Sequence, residues 1–204
     1  MKLYYHLVFP HLSNTYLLIS EKTNEGILID PGSLDLDLVH TIEKNQYALV
    51  GVLVTGNTPA HTDGIPTLLR VYPSVQIFSA ENSVKSCPCI TLRDGDTIDL
   101  AGLKIQTLGM PAYSREAVFY KIQHIVFTGD VLTAGKLGRV LNTFSRALLK
   151  QRLLEYLSEW DPDTLLFPGF GPPTRSGLEL QYNIDLKEEN LKATNYRIEN
   201  EGLV

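Results

Sequence analysis

Val52–Gly64 reads VLVTGNTPAHTDG. An apolar strand runs to Thr55, and the chain then turns through polar residues, with Gly56 and Pro59 among them, toward a helical segment. Loops at strand ends commonly carry the chemical groups of a folded scaffold. This loop holds one imidazole, His61, and little else able to do chemistry. The strand leading into it, ALVGVLVT (Ala48–Thr55), is nearly all apolar, which predicts burial on both faces within a sheet covered by helices.

Upstream, Leu3–Phe9 and Thr15–Ser20 read as strands, and GILIDPG (Gly26–Gly32) as a short buried strand ended by a Pro-Gly turn. SLDLDLVHTIEK then opens a helix, with Ser33 able to cap it and Asp35 and Asp37 suited to its positive start. Downstream, GIPTLLRVYP continues as a helix stopped by Pro73, and VQIFSA is a further strand. LRDGDTIDLAGLKIQTLGM predicts a turn, a strand, a second turn at Ala101–Gly102 and another strand. EAVFYKIQHIVFTGD predicts a hairpin joined near Gln123. An amphipathic helix, SRALLKQRLLEYLSEW, presents Leu149, Leu153, Tyr156, Leu157 and Trp160 on its apolar face. DTLLFPGFGPPT is a last strand running into a Gly/Pro loop. This order predicts an α/β (α+β) domain over residues 1–186, with sheets between helix layers, and a polar helix or tail over residues 187–204.

With 204 residues, 44% hydrophobic, the chain suits one domain with a sizeable core. Its net charge of −5 and pI near 5.5 argue against a sequence-independent grip on nucleic acid, which needs a basic footprint. The N-terminal apolar run is short and broken by Pro10 and His11, unlike a secretory signal. No segment approaches the ~18–20 apolar residues of a membrane span, so a cytoplasmic location is expected. Cys87 and Cys89, in SCPCI, would form a strained bridge across one residue and lack a second pair at zinc-finger spacing; they read as ordinary loop thiols.

Five segments occur in an informative order: SNTYLLIS with GILIDPG, VLVTGNTPAHTDGIPTLL, LRDGDTIDLAGLKIQTLGM, HIVFTGDVLTAGKLGR and LLFPGFGPPT. Together, over about residues 1–185, they resemble the metallo-β-lactamase fold, with the glyoxalase II-like hydrolases closest in character. The resemblance implies a four-layer αββα sandwich. In active members the loop reads T-H-x-H-x-D-H, and a later G-H-T segment, a G-D turn and a final G-H-G turn complete the ligands of two zinc ions. Such metals make hydroxide available near neutral pH. Carried onto this chain, the ligand positions fall at Gly56, Thr58, Ala60, His61, Met110, Asp130 and Phe170. Only His61 and Asp130 keep the expected residue type, fewer than the three or four groups that hold catalytic zinc. The resemblance therefore implies a degenerate metal centre, with no cofactor expected and a weak zinc site as the alternative.

His61 and Asp130 have three readings: a structural imidazolium–carboxylate pair, a weak mononuclear site completed by Asp63, a cysteine or water, or a metal-free acid–base dyad. Asp63 reads as an acid at a helix start or as a replacement ligand. Thr58, Met110 and Phe170 are pocket candidates, the last two filling space once held by metals and water or flooring a small-ligand site. Tyr113, Ser114 and Arg115, in AYSREA, are further candidates; Arg115 could hold a carboxylate or phosphate, and a solvated turn is the alternative. Lys136 and Arg139 read the same way, and His6, His11, His40 and His124 read as surface or packing residues. The functional expectation is binding or regulation, with a small molecule or a protein as partner. The rival is a (thio)ester hydrolase with a site rebuilt around His61 and Asp130.

Overall fold

The computed structural model describes residues 1–9 and 11–187. Its first half runs β1 (Lys2–Val8), β2 (Ser13–Ile19), β3 (Glu25–Ile29), α1 (Leu36–Lys44), β4 (Ala48–Leu53), α2 (Pro59–Thr62), α3 (Ile65–Val71) and β5 (Gln76–Ser79). Next come β6 (Ser83–Val84), β7 (Cys87–Pro88), β8 (Ile90–Thr91), β9 (Thr97–Leu100), β10 (Leu103–Gly109), β11 (Val118–Ile122) and β12 (Ile125–Gly129). The chain continues through β13 (Leu132–Thr133), β14 (Lys136–Leu137), α4 (Thr143–Glu159), β15 (Leu165–Pro168), β16 (Thr174–Arg175), α5 (Ser176–Tyr182) and α6 (Ile184–Lys187). The predicted tail beyond Lys187 lies outside the described residues.

Two six-stranded sheets carry the fold, ordered β1-β2-β3-β4-β5-β8 and β16-β15-β12-β11-β10-β9. Side-chain alternation explains their stacking. Tyr16, Leu18, Ile27, Ile29 and Leu53 of the first sheet meet Ile105, Val118, Tyr120 and Phe127 of the second in one buried layer. The opposite face of the first sheet, with Leu17, Leu28 and Val52, packs against Leu38 and Ile42 of α1 and Ile65 and Leu68 of α3. The opposite face of the second, with Phe119, Val126 and Leu166, packs against Leu149, Leu153 and Leu157 of α4. The result is the four-layer αββα sandwich, and β4 is buried on both faces as its composition predicts. No helix among the described residues is long and apolar enough to cross a membrane.

Local details correct the sequence reading in two places. Asp35, not Ser33, caps α1: it lies in extended backbone and its carboxylate accepts from the Leu38 amide at 3.0 Å. On α4 the fully buried stripe is Leu149, Leu153 and Leu157, while Tyr156 and Trp160 stack on each other at its margin, under the Arg152 guanidinium.

The parallel pairs β3–β4 and β12–β15 direct their C-terminal ends to the same edge of the sandwich. Two buried polar residues of β2 hold the loop that follows β15. Tyr16 Oη donates to the Pro168 carbonyl at 2.7 Å, and Asn14 Nδ2 donates to the carbonyls of Pro168 and Gly171 at 2.9 and 2.8 Å. Burial pushes the Tyr16 phenol well up, which keeps it a donor. Tyr16→Phe removes a buried hydrogen bond between the sheets, and a loss of about 1–3 kcal/mol is expected in urea unfolding.

Candidate functional site

Four strand ends build the site. Asp30 follows β3, Thr55 follows β4, Asp130 follows β12 and Gly169 follows β15. His61 stands on α2, a single turn that starts at Pro59, the residue best suited to a first helical position. The His61 amide donates to the Thr58 carbonyl at 3.0 Å, which turns the imidazole inward between the sheets' ends.

Asp30 adopts a left-handed conformation (φ 51°), which Asp tolerates better than most residues. The Thr55 amide donates to Asp30 Oδ1 at 2.8 Å and the Thr55 hydroxyl to Oδ2 at 2.6 Å. His61 Nδ1 lies 3.2 Å from Thr55 Oγ1 and 3.3 Å from Asp30 Oδ2. On its other side, His61 Nε2 lies 2.9 Å from Asp130 Oδ1. These last two atoms are close enough for an ion pair but off the line of a hydrogen bond. Asp30 and His61 are fully buried, and Asp130 is mostly so.

Counting protons assigns the charge states. The Thr55 hydroxyl spends its hydrogen on Asp30, so it can only accept from His61, and Nδ1 must carry a hydrogen. Nε2 lies 2.9 Å from a carboxylate oxygen, which would repel an imidazole lone pair, so the charged imidazolium is favoured there. His61 is thus an imidazolium between two carboxylates. Burial pulls its pKa down, but the Asp30 charge and then Asp130 outweigh this and raise it to about 9. For Asp30, burial pushes the pKa up, and His61 and the two Thr55 hydrogen bonds oppose it. Because Thr55 donates to both of its oxygens, we assign Asp30 as the anion.

The imidazole is tightly enclosed. A Cβ at Gly169 would lie 2.5 Å from Nε2 and 2.8 Å from Cε1, so glycine is required by close approach. The Phe170 ring sits beside it, with centroids 5.9 Å apart. Thr58, one turn before His61, has a buried hydroxyl without a hydrogen-bond partner among the described residues. A Cβ at Gly138 would strike the Asp130 carbonyl and the Tyr113 ring, and burial, then the Asp130 charge, raise the Tyr113 pKa.

Other candidates go elsewhere. Asp63 closes the C-terminal end of α2 rather than starting a helix, because the chain breaks at Gly64 before α3. Its half-exposed carboxylate meets Lys85 at 2.6 Å and His11 at 3.3 Å, and Lys85 holds its pKa down. Met110 is buried in the apolar layer under α4, while Phe170 is at His61. Ser114 belongs to the turn between β10 and β11, its amide donating to the Met110 carbonyl, and Arg115 is exposed there. Cys87 and Cys89 are free thiols. Among the described residues, no group of three or more His, Cys, Asp and Glu is placed to hold a metal ion. Asp30 and Thr55 were not singled out from sequence; the signal was there in ILID, where a lone acid ends an otherwise apolar buried strand.

No family model matches the chain. An uncharacterized protein of Treponema pallidum is 35% identical over 177 residues, covering 85% of this chain and 93% of that protein. Hydroxyacylglutathione hydrolases of Buchnera aphidicola and Aliivibrio fischeri are 32% and 29% identical over 130 and 134 residues. These matches cover 63% and 64% of this chain, which spans about half (52%) of the length of either hydrolase. Among solved structures, the B3 metallo-β-lactamase BLEG-1 superposes with a TM-score of 0.80 at 19% identity, covering 92% of this chain and all of that one. ETHE1 from Myxococcus xanthus gives 0.77 at 23% identity, covering 90% and 84%. A protein crystallised in a di-iron-bound form gives 0.74 at 23%, covering 89% and 98%. The fold and these relatives define the class: the chain belongs to the metallo-β-lactamase superfamily and is similar over part of its length to hydroxyacylglutathione hydrolases.

The charge assignment has a pH signature. His61 binds its proton more tightly folded (about 9) than unfolded (6.5). Its stabilising contribution is therefore complete below about pH 6.5 and lost as pH rises through about 9. His61→Ala leaves Asp30 buried without its cation and should cost about 3–5 kcal/mol near neutrality. The stability gap between wild type and His61→Ala, followed by urea unfolding, should narrow as pH rises through this window; a constant gap would show a neutral imidazole.

Proposed function

We propose that this chain is a member of the superfamily without the zinc-hydrolase centre, one that acts by binding or regulation. The observation that carries this reading is His61 itself. Both of its nitrogens face carboxylates, and as an imidazolium it has no lone pair to give a metal. The remaining positions implied by the family pattern, Gly56, Thr58, Ala60, Met110 and Phe170, offer no imidazole or carboxylate. The residues present therefore do not fit a dinuclear zinc site. In this reading the charge of His61 holds Asp30 and Asp130 together at the place where active relatives would use metal. The occupant of the neighbouring surface is a small molecule or a protein.

The relatives that bear the name hydroxyacylglutathione hydrolase support the rival, a thioester hydrolase working through His61 and Asp130. One experiment separates the two. The protein is purified without chelators or a metal-binding tag, analysed for zinc and iron, and assayed on a hydroxyacylglutathione thioester. The expected result is metal well below one equivalent, no stabilisation by added zinc and no turnover above background. Stoichiometric metal that is lost in His61→Ala, or turnover abolished by both His61→Ala and Asp130→Ala in folded protein, would overturn the proposal.

A further inference from the structure

Away from this site, the two cysteines of the chain stand together on the hairpin β6–β7. Val84 pairs with Cys87 in that ladder, so their side chains lie side by side on one face. The Cys89 amide donates to the Asn82 carbonyl at 2.9 Å, so the extended pairing runs on past β7. Two residues on from Cys87, Cys89 returns to the same face. The packing agrees: Val84 is fully buried in the layer that holds α1 and α3, both cysteines pack half-buried on that layer, and Pro88 between them is exposed.

The spacing of the pair is held from three directions. Pro88 has a fixed φ and stiffens the link between the cysteines. Lys85 and Ser86, at the tip, both have positive φ (50° and 62°), as in the two-residue turn that sets the register of a hairpin. Lys85 Nζ meets Asp63 Oδ1 at 2.6 Å, which ties the tip to the end of α2. Positions two apart on an extended strand lie about 6.6–6.8 Å apart at Cα, the far limit for a disulfide. An S–S bond is therefore too short a link to form without bending the strand, whereas an ion seated between the sulfurs makes the link longer by one atom. The thiol protons are also lightly held. Cys87 Sγ donates to the Lys85 carbonyl at 3.6 Å and Cys89 Sγ to the Cys87 carbonyl at 3.5 Å. Thiols are weak donors, so little is lost when those protons leave.

We propose that Cys87 and Cys89 are a two-coordinate site for one soft monovalent cation, Cu(I). Thiolates select soft metals, and two of them in line satisfy Cu(I), whereas a structural zinc takes four ligands. Among the described residues, no third His, Cys, Asp or Glu joins the pair in a group able to hold a metal ion. The donor count thus falls short of zinc and matches Cu(I). Binding releases both thiol protons and forms two Cu–S bonds; no electron moves, and the site gains one net negative charge. The apolar layer behind the pair keeps water from one side of the ion, and the half-exposed sulfurs leave an entry path on the other. The inference is independent of the reading of the His61 site.

Cuprous ion, delivered to the reduced full chain from a coloured cuprous chelator of known affinity under anaerobic conditions, tests this. The wild type should take one equivalent, read as loss of the chelator's colour and a new near-ultraviolet thiolate-to-copper band, and zinc should not compete. Cys87→Ser and Cys89→Ser should each lose that uptake with unchanged far-UV circular dichroism. His11→Ala removes the imidazole that shares Asp63 with Lys85, and it should keep the uptake. One equivalent of Cu(I) should also shield both wild-type cysteines together from alkylation, read by mass; this carries the test if a serine variant fails to fold. No stoichiometric uptake, uptake that survives either serine variant, equal binding of zinc, or alkylation unaffected by copper would overturn the proposal.

Discussion

The buried imidazolium of His61 is the constraint around which the edge of this sandwich is organised. It touches Asp30 of the first sheet and Asp130 of the second, so acids from both halves of the fold share one cation. Two buried carboxylates with no countercharge would be costly, because each loses its hydration and repels the other. The cation resolves that conflict, and Thr55 completes the arrangement by donating twice to Asp30. Around it the backbone is drawn in closely: Gly169 lies where any side chain would strike the ring, and Phe170 covers one side.

The location of this cluster follows from topology. Parallel strand pairs in both sheets end at one rim, and the loops beyond those ends are free to vary without disturbing the layers between them. Relatives named for hydrolysis and a structural neighbour crystallised in a di-iron-bound form share the scaffold, and a shared frame does not by itself dictate chemistry. Here the described rim carries a mostly buried imidazolium set between two carboxylates.

Much of the architecture was legible in the sequence because burial has a simple signature there. The apolar run Ala48–Thr55, the alternation in the second half and the stripe of leucines on α4 each specify which faces must leave water. The isolated His61 and the G-D turn at Asp130 were legible as well, since they stand in an ordered set of family landmarks. The cap of α1 was misread because Ser33 and Asp35 both suit the role, and only the backbone conformation at Asp35 decides between them. Asp63 was misplaced for a related reason: the break at Gly64 splits one expected helix into two, and its carboxylate then finds Lys85, distant in sequence.

By itself the sequence determined the layers and the approximate strands and helices, because these depend on residue type and local period. Tertiary structure alone decided which groups meet. The partnership of Asp30 with Thr55 and His61 spans separations that no local pattern encodes, and the protonation of His61 follows only from where their atoms lie. The same is true of Met110, whose side chain joins the layer under α4, and of β1, whose edge is open because no strand of this chain is left to pair with it among the described residues. Spacing along a chain limits what residues can do; their charge, burial and reach are settled when the two sheets close on each other.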